Sequence, residues 1–199
     1  APRLALTSNH VALTHGHMDH SAGLAYYYSQ RSFQGMGTGA VLAHPLLTAA
    51  IEKVMNAWVD IERQRTPFRV VPMLPDEEFE LKNHIYLRAF KTDHTDESLG
   101  FVVVEKRSKL KPDYAHFPQE KLVELKKSGE EITYLREIPL VAYTGDTSPG
   151  AHFEREDVAN ARILITECTF LEKDHRSRAR AGKHLHLADI AEILPKVKA

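Results

Sequence analysis

The sequence predicts an α/β sandwich whose strand-end loops carry metal chemistry. Short apolar runs of strand type alternate with helix-period segments along all 199 residues. Twelve histidines stand against one cysteine. Three of them, His15, His17 and His20, lie directly after the first apolar run. The length fits one domain over residues 1–199 with a sizeable core. With 26 Lys and Arg against 27 Asp and Glu, the charge of −1 gives no global footprint for nucleic acid or an anionic membrane. A 43% hydrophobic and 27% charged composition excludes disordered and collagen-like designs. The lone Cys168 excludes an internal disulfide and multi-cysteine metal sites, and suits a reducing, cytoplasmic location. No run nears the roughly 18 apolar residues of a membrane span, and no signal-peptide pattern opens the chain, so a soluble protein with no membrane partner is expected. The Ala1-Pro2 start without Met suggests that the natural N-terminus lies further upstream.

Val11 to Thr14 is expected as a short buried strand delivering the His-rich turn. Ala22 to Gln30 reads as a helix, after which Gly35, Gly37 and Gly39 open a loop. From Pro45 to Arg63 a longer helix is expected. Its Leu47, Ile51, Val54, Trp58 and Ile61 recur at spacings of 4, 3, 4 and 3, a stripe that should pack in the core, with Trp58 structural. β-Branched and aromatic enrichment marks strands at Phe68–Met73, Glu78–Leu81, Ile85–Lys91 and Leu99–Glu105, expected in one sheet region. Pro118 to Ser128 is a charged amphipathic helix closed by Gly129. Leu140–Thr144 and Arg162–Glu167 should be buried strands flanking a short helix near Glu154–Asn160, and a last helix covers Leu187–Leu194 before Pro195.

The run His15-Gly16-His17-Met18-Asp19-His20 packs three imidazoles and a carboxylate into one turn. Histidines at i and i+2 can face one side and hold one metal, while Asp19 and His20 turn toward a neighbouring position. Imidazole and carboxylate donors suit Zn²⁺ and also accommodate Mn²⁺ or Fe²⁺. Such a density of ligands has no packing rationale.

Thr14-His15-Gly16-His17-Met18-Asp19-His20 resembles the signature of the metallo-β-lactamase fold. Four later segments resemble, in order, the motifs of the transfer-RNA 3′-processing endonucleases, tRNase Z. They are Arg88 to His94 with Ser98 to Phe101, Tyr143 to Thr147, Thr166 to Phe170, and His184 to Leu187. The Lys109-Leu110-Lys111 stretch and the His184-Leu185-His186-Leu187 ending are similar to the short, plant-type form. The resemblance runs from Val11 to Leu194. It implies an αββα sandwich with two Zn²⁺: His15, His17 and His94 on one, Asp19 and His20 on the other, Asp146 between them. The position of Asp146, after a buried strand and a Gly, agrees with a carboxylate presented at a sheet end. By the same resemblance His184 is the proton donor and Glu167 a supporting acid. The family has further strands ahead of the first His motif and a last metal-binding His in a His-Phe-Ser-x-Arg-Tyr stretch. Both are absent here. The second metal therefore lacks one ligand, and the domain is expected to be incomplete at both ends, a fragment rather than a chain completed by another group or subunit.

The activity implied is endonucleolytic removal of 3′ trailers from precursor tRNA by water activated between the metals. Asp19 would orient the nucleophile and His184 would protonate the leaving 3′ oxygen. Two other classes stay open: a hydrolase of the same fold acting on small esters, lactones or cyclic nucleotides, and a catalytically incomplete RNA-binding or pairing subunit. The resemblance also implies a homodimer, for which the apolar face at Leu24–Tyr28 is a candidate unless it faces the core. Two basic runs, Lys106-Arg107 with Lys109 and Lys111, and Lys173, Arg176, Arg178, Arg180 and Lys183, are either phosphate grips or solvated surface; the second adjoins His184. His10, His44, His84, His116, His152 and His175 read as structural or surface residues, and Cys168 as a small core residue. His186 is a hydrogen-bonding candidate near the substrate. Tyr26, Tyr27 and Tyr28 are expected to turn toward the core rather than stack on bases.

Overall fold

The computed structural model describes residues 6–198. Three strands, β1 (His10–Ala12), β2 (Gly39–Ala43) and β3 (Phe68–Pro72), form a parallel sheet in the order β1-β2-β3. Five more make a second sheet in sequence order: β4 (Glu78–Lys82), β5 (Ile85–Lys91), β6 (Leu99–Leu110), β7 (Thr133–Tyr143) and β8 (Ile163–Ile165). Its pairings are antiparallel except for the parallel β7–β8 pair. The helices are α1 (Met18–Ser21), α2 (Gly23–Phe33), α3 (Pro45–Glu62), α4 (Gln119–Lys127), α5 (Glu156–Ala159), α6 (Arg176–Gly182) and α7 (Leu187–Ile193).

Strand alternation sorts the core into layers. Val41 and Ala43 pack with Leu24, Tyr28, Ile51 and Met55 of α2 and α3, while Leu42 turns the other way, onto Leu87, Leu99 and Phe101 of the second sheet. The far face of that sheet carries Phe90, Val102 and Ala142 against Val158 of α5. The result is the expected four-layer αββα sandwich.

Several expectations are corrected. The segment read as a glycine-opened loop contains β2, whose five residues are all buried. A strand covered on both faces shows no alternation to read. Phe68–Pro72 belongs to the first sheet, not to the sheet of its three successors. On α3 the buried side is Ile51 and Met55, continued by half-buried Thr48 and Val59; Val54, Trp58 and Ile61 are exposed by about half or more, because the buried face is rotated from the expected stripe. β6 and β7 run on as a long hairpin arm with α4 between them, where only Leu99–Glu105 and Leu140–Thr144 were expected. Their charged outer halves hide the strand pattern. β8 was expected to be buried, yet Ile163 and Ile165 are exposed. The layer that covers Phe101 and Val103 on β6 includes no residue of β7 or β8.

Arg31 fastens the start of the fold. It is 1% exposed, and its guanidinium donates to Leu6 O, Ser8 O at 2.6 Å, Asn9 Oδ1 at 2.7 Å and Gly37 O at 3.3 Å. No carboxylate pairs with it among the described residues. The forked donors thus tie the segment before β1 to the loop before β2. Arg31→Met would strand several buried acceptors and is expected to cost about 3 kcal/mol or more. Denaturant unfolding checks this, and Arg31→Lys should recover little of the loss.

Candidate metal centre

The His- and Asp-bearing motifs meet at one edge of the sandwich. β5 and β7 run alike on either side of antiparallel β6, and β8 parallels β7, so the loops that follow these three strands emerge together. The turn after β1 joins them because Leu99 N–H donates to Thr14 O at 2.8 Å. Gly145 completes the approach. Its φ of +62° suits glycine, and a Cβ there would stand 2.7 Å from Thr14 Cγ2. The turns bearing His15 and Asp146 are therefore pressed against each other.

Three imidazoles converge. His15 Nε2 lies 3.0 Å and His94 Nε2 3.2 Å from His17 Nδ1. The opposite ring nitrogens are held from behind, His15 Nδ1 by Thr14 Oγ1 at 3.1 Å and His94 Nδ1 by Lys183 O at 3.0 Å. The Lys183 carbonyl accepts the His94 Nδ1 proton, which leaves His94 Nε2 bare toward the centre. Burial, then the neighbouring His20 and His94, hold the His15 pKa down to about 4, so its ring is neutral at pH 7.

Asp146 joins the other members. Its Oδ2 is 3.2 Å from His20 Nε2, 3.9 Å from His15 Nε2 and 4.0 Å from His184 Nδ1. Three sets of possible ligand atoms result, each within 4.8 Å: His15 with His17 and His94, His15 with His20 and Asp146, and His94 with Asp146 and His184. Asp19 stands outside all three sets; its side chain is 79% exposed, 3.4 Å from His20 Nε2. No further histidine joins these sets among the described residues.

His184 Nδ1 sits 2.9 Å from Oε1 of Glu167, the residue the resemblance implied as a supporting acid. The sequence reading gave no role to Thr147. This residue is fully buried, its backbone N–H donates to the same Glu167 Oε1 at 2.9 Å, and its Oγ1 accepts Asp93 N–H at 3.1 Å. Adjacency to Asp146 was the only available signal. His186 is corrected: Nδ1 accepts from Ala188 N–H and Nε2 meets Glu172 O, so the ring caps α7 instead of facing a substrate. His44 likewise caps α3. Leu24, Ala25 and Tyr28 are core residues, while Tyr26 is exposed, against the expectation for it.

The two basic runs differ. Lys106 pairs with Glu78 and Glu137, Arg107 with Glu105 and Lys111 with Glu131, so the first run is mostly engaged in ion pairs along the arm. In the second, Arg176 binds Asp189 and Glu192, and Lys183 binds Asp93. Lys173, Arg178 and Arg180 are exposed, with no carboxylate partner among the described residues. Arg178 lies over the Phe170 ring at 5.9 Å.

This architecture, with a His- and Asp-lined edge, is that of the metallo-β-lactamase fold. Solved neighbours include the metallo-β-lactamase fold protein YhfI of Bacillus subtilis (TM-score 0.60, 19% identity), which matches over 96% of this chain and 61% of its own. Short-form human tRNase Z has a TM-score of 0.65 and 17% identity, over 96% of this chain and 69% of its own. In sequence, the chain is 31% identical over 194 residues to the chloroplastic tRNase Z TRZ2 of Arabidopsis thaliana, 96% of this chain but 55% of that one. It is also 31% identical over 132 residues to the nuclear ribonuclease Z of Triticum aestivum, 66% of this chain and 75% of that one. No protein-family model matches. The chain belongs to the ribonuclease Z family. It spans little more than half the length of TRZ2.

Proposed function

We propose that this chain carries the active-site region of a zinc-dependent endoribonuclease that removes 3′ trailers from precursor tRNA. The observation behind this reading is the convergence of His15, His17 and His94, with Asp146 shared between the adjoining sets. The donors are nitrogen and oxygen only, which fits Zn²⁺ and also Mn²⁺ or Fe²⁺. His15, His17 and His94 would hold one ion, Asp19 and His20 a second, and Asp146 both. When bound, the ions supply Lewis acidity toward water and phosphate oxygens. Asp19 would accept a hydrogen bond from the attacking water and so orient it. His184 keeps its Nδ1 proton on Glu167, which leaves Nε2 to deliver a proton to the departing 3′ oxygen of the RNA. Lys173, Arg178 and Arg180 would meet phosphates beside it.

We further propose a homodimer, formed not by the buried Leu24 face but through the exposed Met18, Tyr26, Val54, Trp58 and Ile61. Met18, Val54 and Trp58 line a groove of about 400 Å³. Sedimentation tests this. No described helix is long and apolar enough to cross a membrane. A cytoplasmic location is proposed from the sequence reading, although one relative is chloroplastic by name.

The test is cleavage of a 3′-extended precursor tRNA by zinc-loaded protein, beside a lactone and an aryl phosphodiester. Cleavage of the RNA at the 3′ end of the mature tRNA is expected. Lactone hydrolysis without RNA cleavage would favour the small-molecule reading, and tight tRNA binding without turnover the non-catalytic one. Between 50 and 200 mM salt, kcat/KM should fall roughly 40-fold if three phosphates are neutralised. A salt-independent rate contradicts the role given to the second basic run.

A further inference from the structure

His152 was read from the sequence as structural or surface, and it lies one residue behind the candidate proton donor's support. It is 7% exposed, stacked on Phe90 (centroids 6.2 Å, 22° between planes) and tilted against Phe153 at 4.3 Å. Gly150 lies close against the ring, since a Cβ there would stand 2.9 Å from His152 Nδ1. Packing thus fixes the imidazole plane and leaves Nε2 directed at Thr147 Oγ1, 3.3 Å away. Thr147 is where the loops meet. Its hydroxyl takes the Asp93 N–H next to His94, and its own N–H reaches the Glu167 oxygen that holds His184.

We propose that His152 is a positioning residue: through Thr147 it fixes the Glu167 carboxylate and hence the orientation of the His184 ring. The proposal rests on the reading of His184 as proton donor. The continuous path is His152 Nε2 to Thr147 Oγ1, then Thr147 N–H to Glu167 Oε1, then Glu167 Oε1 to His184 Nδ1. Burial pushes the His152 pKa down to about 4, against a smaller opposing pull from Asp93, so the ring stays neutral and its hydrogen bond persists through the neutral range. Glu167 Oε2 is held from the other side by the N–H and hydroxyl of Thr169. Releasing Thr147 would therefore free one edge of a carboxylate otherwise clamped on both.

The experiment follows the His184 Nδ1 proton by NMR in ¹⁵N-histidine-labelled, zinc-loaded protein, assigned with His184→Ala. His152→Phe keeps the aromatic stack and removes the hydrogen bond; the proton should exchange at least about tenfold faster, and kcat should fall roughly tenfold with KM unchanged. His152→Gln, which retains a polar group, should recover most of both. An unchanged His184 signal in folded His152→Phe overturns the proposal, as does equal damage from the two variants. If His152→Phe does not fold, Thr147→Val removes the same link and must show the same loss of protection. Absence of RNA cleavage alongside a responding His184 proton would contradict the proposed activity while leaving the positioning role standing.

Discussion

Asp146→Asn is expected to lower zinc retention sharply and to reduce turnover on 3′-extended tRNA by on the order of a thousandfold or more, equivalent to the several kcal/mol that metal ions supply as Lewis acids. Asp146 belongs to two of the three ligand sets, and its Oδ2 lies 3.2 Å from His20 Nε2 and 4.0 Å from His184 Nδ1. The amide matches the carboxylate in shape, so the fold should survive, but it brings no negative charge to balance a cation. Elemental mass spectrometry after zinc loading and dialysis, with unfolding of the metal-free protein as control, reads the effect. Wild-type zinc content with wild-type turnover would remove Asp146 from the centre.

His184→Ala should behave differently. The ring's Nδ1 is engaged by Glu167, so the proposed proton transfer falls to Nε2. A fall in kcat of about 10²–10⁴-fold is expected, with zinc content unchanged and KM within a few-fold. Glu167→Gln should follow in the same direction with a smaller effect, since it loosens the ring without removing it. Equal loss of zinc and turnover in His184→Ala would make His184 a ligand, an outcome its 4.0 Å distance from Asp146 Oδ2 leaves geometrically open.

Much of the candidate centre was legible because three of its members are neighbours in sequence: His15, His17 and His20 share one turn and need no fold to bring them together. His94 lies 77 residues beyond His17, yet reaches it at 3.2 Å. Its assignment came from motif resemblance, because spacing across a sheet carries no local signal. Thr147 drew no reading, and His152 only a structural or surface one, for a further reason: Thr147 makes its contacts through a backbone N–H and a buried hydroxyl, and His152 meets that hydroxyl, directions that only the fold fixes. The fold shows the same division. Ile85–Lys91, marked by its β-branched and aromatic residues, lies where expected, whereas β2, buried on both faces, has no pattern to show. Trp58 fits a helical stripe, yet the face that packs is the one through Ile51, Met55 and half-buried Val59, a choice set by the neighbouring layer.

The central claim is that these residues hold a shared pair of ions with His184 outside it. Anomalous diffraction at the zinc edge from zinc-soaked crystals tests it most directly. The account predicts one peak among His15, His17 and His94 and a second against His20 and Asp146, with the His184 ring on Glu167. A single peak held by His94, Asp146 and His184, or zinc bound elsewhere with the three imidazoles empty, would contradict it.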